Sequence, residues 1–190
     1  ERSARRTRAE EMEQARILLR EPEVDGDRVL LLAHEVTLVT GPERRQMAAS
    51  IFYDKGSTCT MVTRRMKNIL GLESIKKAVL VQSFGHEERL DTEFVVLELL
   101  QVNGSVAQVR AYVVDSITTM AQVDIPEKLK DMFSNREDWP KQRYHGEIEI
   151  LLGIEELALH PKRIDIVGNL GIFKSPLSKV TVLGGRHEDI

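Results

Sequence analysis

The sequence predicts a mainly β fold with short helices, on three observations. Five apolar, β-branched runs have strand length and end in turn residues: RVLLLAHEVTLVT (28–40), QMAASIFY (46–53), AVLVQSF (78–84), EIEILLG (147–153) and RIDIV (163–167). Two further runs, FVVLELLQV and SVAQVRAYVV, flank Asn103-Gly104, the pair that a type I′ hairpin turn favours because both central residues take φ > 0. Stretches with helical periodicity are few and short.

Taken in order, residues 1–27 are expected to form a helical linker. Thr7 and Glu10 suit a capping box, and Arg2, Arg5, Arg6 and Arg8 form a basic cluster read as a solvated face. EPEVDGD (21–27) supplies the turn chemistry of a boundary. The core domain is expected over 28–168. Within it TMVTRRMKNILGL turns helical, with Met66, Ile69 and Leu70 on one face. Residues 116–146 are a polar insertion, where Asp124 and Pro126 start a short helix carrying Leu129, Met132 and Phe133, and Trp139 anchors the excursion. IEELALHP (154–161) reads as one helix stopped by Pro161.

Composition narrows the function. The 190 residues suit one domain, and 42% hydrophobic with only 5% aromatic residues predicts an aliphatic core. With 27 basic against 30 acidic residues, net charge −3, the core has no electrostatic reason to bind nucleic acid. A single cysteine, Cys59, excludes an intrachain disulfide or thiolate metal centre and suits a reducing, intracellular setting; a core thiol is expected there. His34, His86, His145, His160 and His187 lack ligand spacing, so no metal and no cofactor are expected. No run is long and apolar enough to span a membrane. The chain begins at Glu1, and a place inside a longer polypeptide is expected.

The stretch SIFYDKGSTC (50–59) carries the chemistry. Hydrolysis by carboxylates needs two acids sharing one proton, each held by a strand and exposed by a turn. Asp54 has the apolar lead-in Ile51-Phe52-Tyr53 and Gly56 two residues on. No second such loop exists; Asp115-Ser116-Ile117 comes closest but lacks the glycine. An acid of this kind must borrow its twin from a second copy, so a symmetric homodimer is expected.

On these residues the chain resembles the retropepsin-like aspartic peptidases, and within them the peptidase of BEL/Pao-type retrotransposon polyproteins. FYDKGST matches the catalytic loop, VQSFGHEERLD (81–91) sits where the flap follows, and EIEILLGIEELALHP (147–161) resembles the strand and helix beneath the loop. VGNLGIFKSPLSKVTVLGGRH (167–187) is similar to the extension after the peptidase core, so the resemblance sets residues 169–190 apart as a C-terminal extension. The resemblance, over about 28–187, implies a closed β-barrel-like protomer, an obligate dimer and an extended polyprotein peptide as substrate. It implies that Asp54 is half of the dyad, that Gly56 lets two loops approach, and that the Ser57 hydroxyl holds the outer carboxylate oxygen. Ser83, Phe84, Gly85 and His86 would form the flap, with His86 placed to tune pH dependence. Leu151, Leu152 and Gly153 would support the loop, Gly153 by close backbone approach.

Lys55 departs from that pattern, which has serine or threonine there. A lysine has three donors and no acceptor, so it cannot reproduce the hydroxyl exchange across the two-fold axis. Two outcomes stay open: a lysine turned outward leaves a working peptidase, and one held at the axis leaves a weakened or inactive dimerisation or peptide-binding module.

Overall fold

The computed structural model describes residues 29–83, 86–120, 127–139 and 144–186. The expected N-terminal helix with its arginines, the flap residues Phe84 and Gly85, the helix start at Asp124 and Pro126, and His187 lie outside the described residues.

The predicted mainly β architecture is observed, organised around a closed barrel. Its staves are β2 (Ala33–Thr40), β3 (Arg45–Tyr53), β4 (Met61–Thr63), β6 (His86–Leu100), β7 (Val106–Val114) and β10 (Ile150–Leu152). They run in the order β2-β3-β10-β4-β7-β6, and the pair Leu38↔Leu99 between β2 and β6 closes the ring. Val36, Leu38, Ile51, Val62, Leu97, Leu99, Val109 and Ile150 alternate inward and fill it. Tyr53 is the one aromatic ring in this buried cluster, in keeping with the low aromatic content.

The strand β5 (Ile75–Ser83) hangs outside the ring on β6, paired from Ile75↔Phe94 to Ser83↔His86. The partner β7 accompanies β6 only from Phe94 onward, so the far half of the β5–β6 hairpin projects beyond the barrel wall. Its base is fastened at Glu93, whose carboxylate accepts from Ser74, from Lys67 at 2.9 Å and from Arg64. The Ser74, Lys67 and Arg64 contacts, in that order, hold the Glu93 carboxyl down at about 2. Arg64 and Lys67 lie on α1 (Arg64–Leu70), which Thr63 caps by accepting from the Met66 amide at 3.3 Å. Met66 and Leu70 face the core as expected, while Ile69 is 47% exposed, because seven residues have room for one buried i, i+4 pair.

A second sheet packs beside the barrel: β1 (Val29–Leu30), β13 (Val182–Arg186), β12 (Leu170–Lys174) and β11 (Lys162–Val167), in that order. The hairpin from β11 to β12 pairs Val167 with Leu170 and so spans the expected boundary at 168/169. Residues from 169 therefore continue the same sheet. The insertion packs here: α2 (Glu127–Met132) brings Leu129, and Phe133 stacks on Trp139 at 4.9 Å over Leu30, Leu170 and Ile172. Met132, expected on the same face, is 53% exposed. Elsewhere the insertion forms a short pair, β8 (Thr119–Met120) with β9 (Gly146–Glu147).

Two local expectations change. The loop between β6 and β7 is not a two-residue type I′ turn: Gln101 pairs with Ser105 at 2.8 Å and three residues lie between. Asn103 spends its side-chain oxygen on the Ser105 amide (2.9 Å) and keeps φ negative, so Gly104 alone is left-handed, at φ 86°. Residues Ile154–Leu159 form a 3-10 helix kinked at Glu156 rather than an α-helix, closed by the His160 amide on the Leu157 carbonyl.

Candidate active site

Asp54 leaves the end of β3, where β10 runs parallel to it with Leu151 opposite Phe52 and Leu152 opposite Tyr53. The other edge of β10 pairs antiparallel with β4, so β10 lies between the strand entering the loop and the strand leaving it. This is the cradle in which the loop sits. The Asp54 amide donates to the Leu152 carbonyl (3.0 Å), and the Asp54 carbonyl accepts from the Ser57 amide (3.3 Å). Asp54 Oδ1 accepts from the Gly56 amide at 2.8 Å, so the turn itself orients the carboxylate. Asp54 is half-buried, while Lys55, Gly56 and Thr58 are exposed.

Leu151, Leu152 and Gly153, the expected supports, lie at the end of β10 beside the loop. Leu152 and Gly153 are buried, and a Cβ on Gly153 would lie 2.6 Å from the backbone C and O of Cys59. Leu151 alternates to the other face and is half-buried. The Gly153 amide donates to Thr60 Oγ1 (3.1 Å) and the Ile154 amide to the Ser57 carbonyl (2.9 Å). Glu155 accepts from the Thr60 amide at 2.8 Å. Thr60 and Glu155 escaped the reading of the sequence, although an acid two residues beyond the strand-ending glycine was a visible signal.

Ser57 is placed differently from expectation. Its hydroxyl donates to the Cys59 carbonyl at 2.8 Å, within its own turn, because that acceptor lies closer along the chain than the carboxylate. Cys59 is half-buried, and burial pushes its thiol up, which keeps it protonated. Lys55 has no hydrogen-bond or ion-pair partner among the described residues. Asp115 is not brought to Asp54. It follows the end of β7, which pairs with β4 from Met61↔Tyr112 to Thr63↔Val114, away from the loop, and it pairs with Arg64 at 3.1 Å. Ser83 and His86 are the last strand pair of the projecting hairpin.

Behind the loop lies a buried polar cluster that the sequence did not announce. His34 and His160 flank Tyr53, one stacked at 5.3 Å and the other edge-on at 5.6 Å. Tyr53 Oη lies 2.6 Å from His34 Nε2 and donates to Ser175 Oγ at 2.9 Å. Burial lowers the His34 pKa to about 4 and raises that of Tyr53, so both are neutral near pH 7.

A groove of about 740 Å³ opens at the base of the β5–β6 hairpin, between Lys77, Thr92, Glu93 and Val113. Asp54 is not among the residues that line this groove. Among the described residues no group of three or more His, Cys, Asp and Glu side chains converges on a metal position, and no helix is long and apolar enough to cross a membrane. No protein-family model matches the chain, and no curated protein matches it.

Proposed function

We propose that the protein is an aspartic endopeptidase whose active site forms between two copies of the chain, each supplying Asp54. The observation that carries this reading is the loop geometry. One carboxylate, half-buried beside the exposed Lys55 and Gly56, is held by its own turn amide on a loop seated against a strand threaded between its two limbs. A single acid so placed lacks the proton-sharing partner, which a two-fold axis through the loop provides. In the dimer one Asp54 carboxylate takes a proton from water as the water oxygen bonds to the peptide carbonyl carbon, and the other, protonated, donates to the carbonyl oxygen. The resulting diol collapses with the C–N bond breaking, the amine nitrogen taking a proton from one carboxyl and the diol returning one to the other. The Gly56 amide, which donates to Oδ1, keeps each carboxylate in place through the step. Substrate lies extended between the paired loops and the projecting β5–β6 hairpins, bonded through its backbone. The retrotransposon-type polyprotein is the substrate class that the order of landmarks suggests.

A second reading is favoured by Lys55, which is exposed and unpaired among the described residues beside the carboxylate. Two ammonium groups near the axis favour both carboxylates ionised, and a doubly ionised dyad has lost its shared proton. The same fold then serves as a dimerisation or peptide-binding module.

One experiment separates these. Purified protein, Asp54→Asn and Lys55→Ser are incubated with a peptide library from mildly acidic to neutral pH, and their mass is followed by sedimentation. Cleavage by the parent that falls by about 10³-fold or more in Asp54→Asn establishes the peptidase. Cleavage only in Lys55→Ser establishes the disabled module. A parent that stays monomeric at high micromolar concentration overturns both.

A further inference from the structure

Ser175 stands just past β12, in the segment that the resemblance sets apart as an extension, and it is 3% exposed. Its hydroxyl is fully used. Oγ donates to the Leu159 carbonyl (3.1 Å) and accepts from Tyr53 Oη (2.9 Å) and the Leu177 amide (3.1 Å). The direction of the whole chain follows, because a carbonyl only accepts. Ser175 gives its proton to Leu159, Tyr53 gives its proton to Ser175, and the Tyr53 oxygen accepts from His34 Nε2–H at 2.6 Å. His34 is thereby assigned the tautomer with a bare Nδ1, which has no partner among the described residues.

Tyr53 is the residue before Asp54, and its own amide donates to the Leu32 carbonyl at 2.9 Å. On the loop's other side His160 Nε2 donates to the Gly153 carbonyl at 2.8 Å. The Asp54 loop is therefore held from behind by groups that come after the barrel's last strand.

We infer that Ser175 is a positioning residue for the Asp54 loop, acting through Tyr53, and that residues 175–177 belong to the candidate site. The activity arm of the test rests on the peptidase reading; the structural arm does not. Removing the Ser175 hydroxyl strands three groups at once: the Tyr53 O–H, the Leu159 carbonyl and the Leu177 amide. Buried polar groups do not stay unpaired without shifting, and the shift falls on the residue bonded to Asp54.

The test compares the full-length parent with Ser175→Ala, Tyr53→Phe, the double variant and Ser178→Ala as a control on the same segment. Amide exchange is read at Gly56 and Ser57 and at Leu97 and Leu99 in the barrel wall, alongside kcat and KM. In Ser175→Ala exchange at the loop accelerates about tenfold or more while Leu97 and Leu99 keep their protection. In the same variant kcat falls about tenfold to hundredfold with KM within about twofold, the cost of misplacing a reacting group. Tyr53→Phe repeats the pattern, and the double variant is no worse than the worse single one because both break one chain. If Ser175→Ala fails to fold, the same readouts on Tyr53→Phe decide. Unchanged loop exchange, or acceleration spread equally over the barrel wall, overturns the proposal. Faster loop exchange with no cleavage by any variant or the parent upholds the positioning role and removes the peptidase reading.

Discussion

Acid acts on this fold through His34. The side chain is 7% exposed, its Nε2–H is committed to Tyr53, and its bare Nδ1 faces no acceptor among the described residues. A second proton would be buried without a partner, and this holds the pKa at about 4 against an ordinary 6.5. The unfolded chain takes that proton at higher pH than the folded one, so stability falls as pH drops. The contribution is complete above about 6.5, about 2 kcal/mol has gone by pH 5, and about 3 kcal/mol has gone at and below pH 4. That is a large part of the stability of an ordinary domain. His34→Gln keeps an N–H donor for the Tyr53 hydroxyl and cannot titrate. Urea unfolding of parent and variant, followed by circular dichroism from neutral pH to about 4.5, gives the difference curve. The parent loses about 2 kcal/mol or more relative to His34→Gln over that range. Two curves that stay parallel within about 0.5 kcal/mol refute the buried, neutral histidine.

Two other predictions rest on single contacts. Gly153→Ala drives a methyl group into the Cys59 backbone, which cannot swing aside as a side chain would, and destabilises by about 2–4 kcal/mol in urea unfolding; a loss below about 1 kcal/mol contradicts the close approach. Glu93→Gln unfastens the base of the β5–β6 hairpin from α1, so amide exchange along Ile75–Val79 accelerates while Leu97 and Leu99 hold. Because the Glu93 carboxyl is held down at about 2, its contribution is present above about 4.5 and fades as pH falls toward 2, below the His34 window.

Most of the barrel was legible because strand periodicity is local and the core is aliphatic. RVLLLAHEVTLVT and QMAASIFY carry β2 and β3, which pair across a tight turn, and the strand-ending glycine of EIEILLG marks the approach to Cys59. The misread elements were decided by competing local bonds. Asn103 preferred its side-chain bond to Ser105, and Ser57 preferred the Cys59 carbonyl. The cluster behind the loop was illegible for a different reason. His34, Tyr53 and Ser175 are separated by 19 and 122 residues, and nothing in the neighbourhood of Ser175 signals a hydroxyl aimed at the first third of the chain. The segment from 169 reads as an extension on the resemblance alone, whereas β12 continues β11 through a local hairpin and β13 pairs with the distant β1 by tertiary contact.

That separation also fixes an order of events in synthesis. The Asp54 loop leans on Leu152, Gly153 and Glu155, and Tyr53 leans on Ser175, so the loop's supports leave the ribosome long after the loop does. Loop closure over such distances is slow, and local hairpins such as β2–β3 and β6–β7 form first. A nascent chain therefore carries Asp54 without the scaffold that aims it until Ser175 has been added. The carboxylate takes its folded-state position only when the polypeptide through Ser175 is complete.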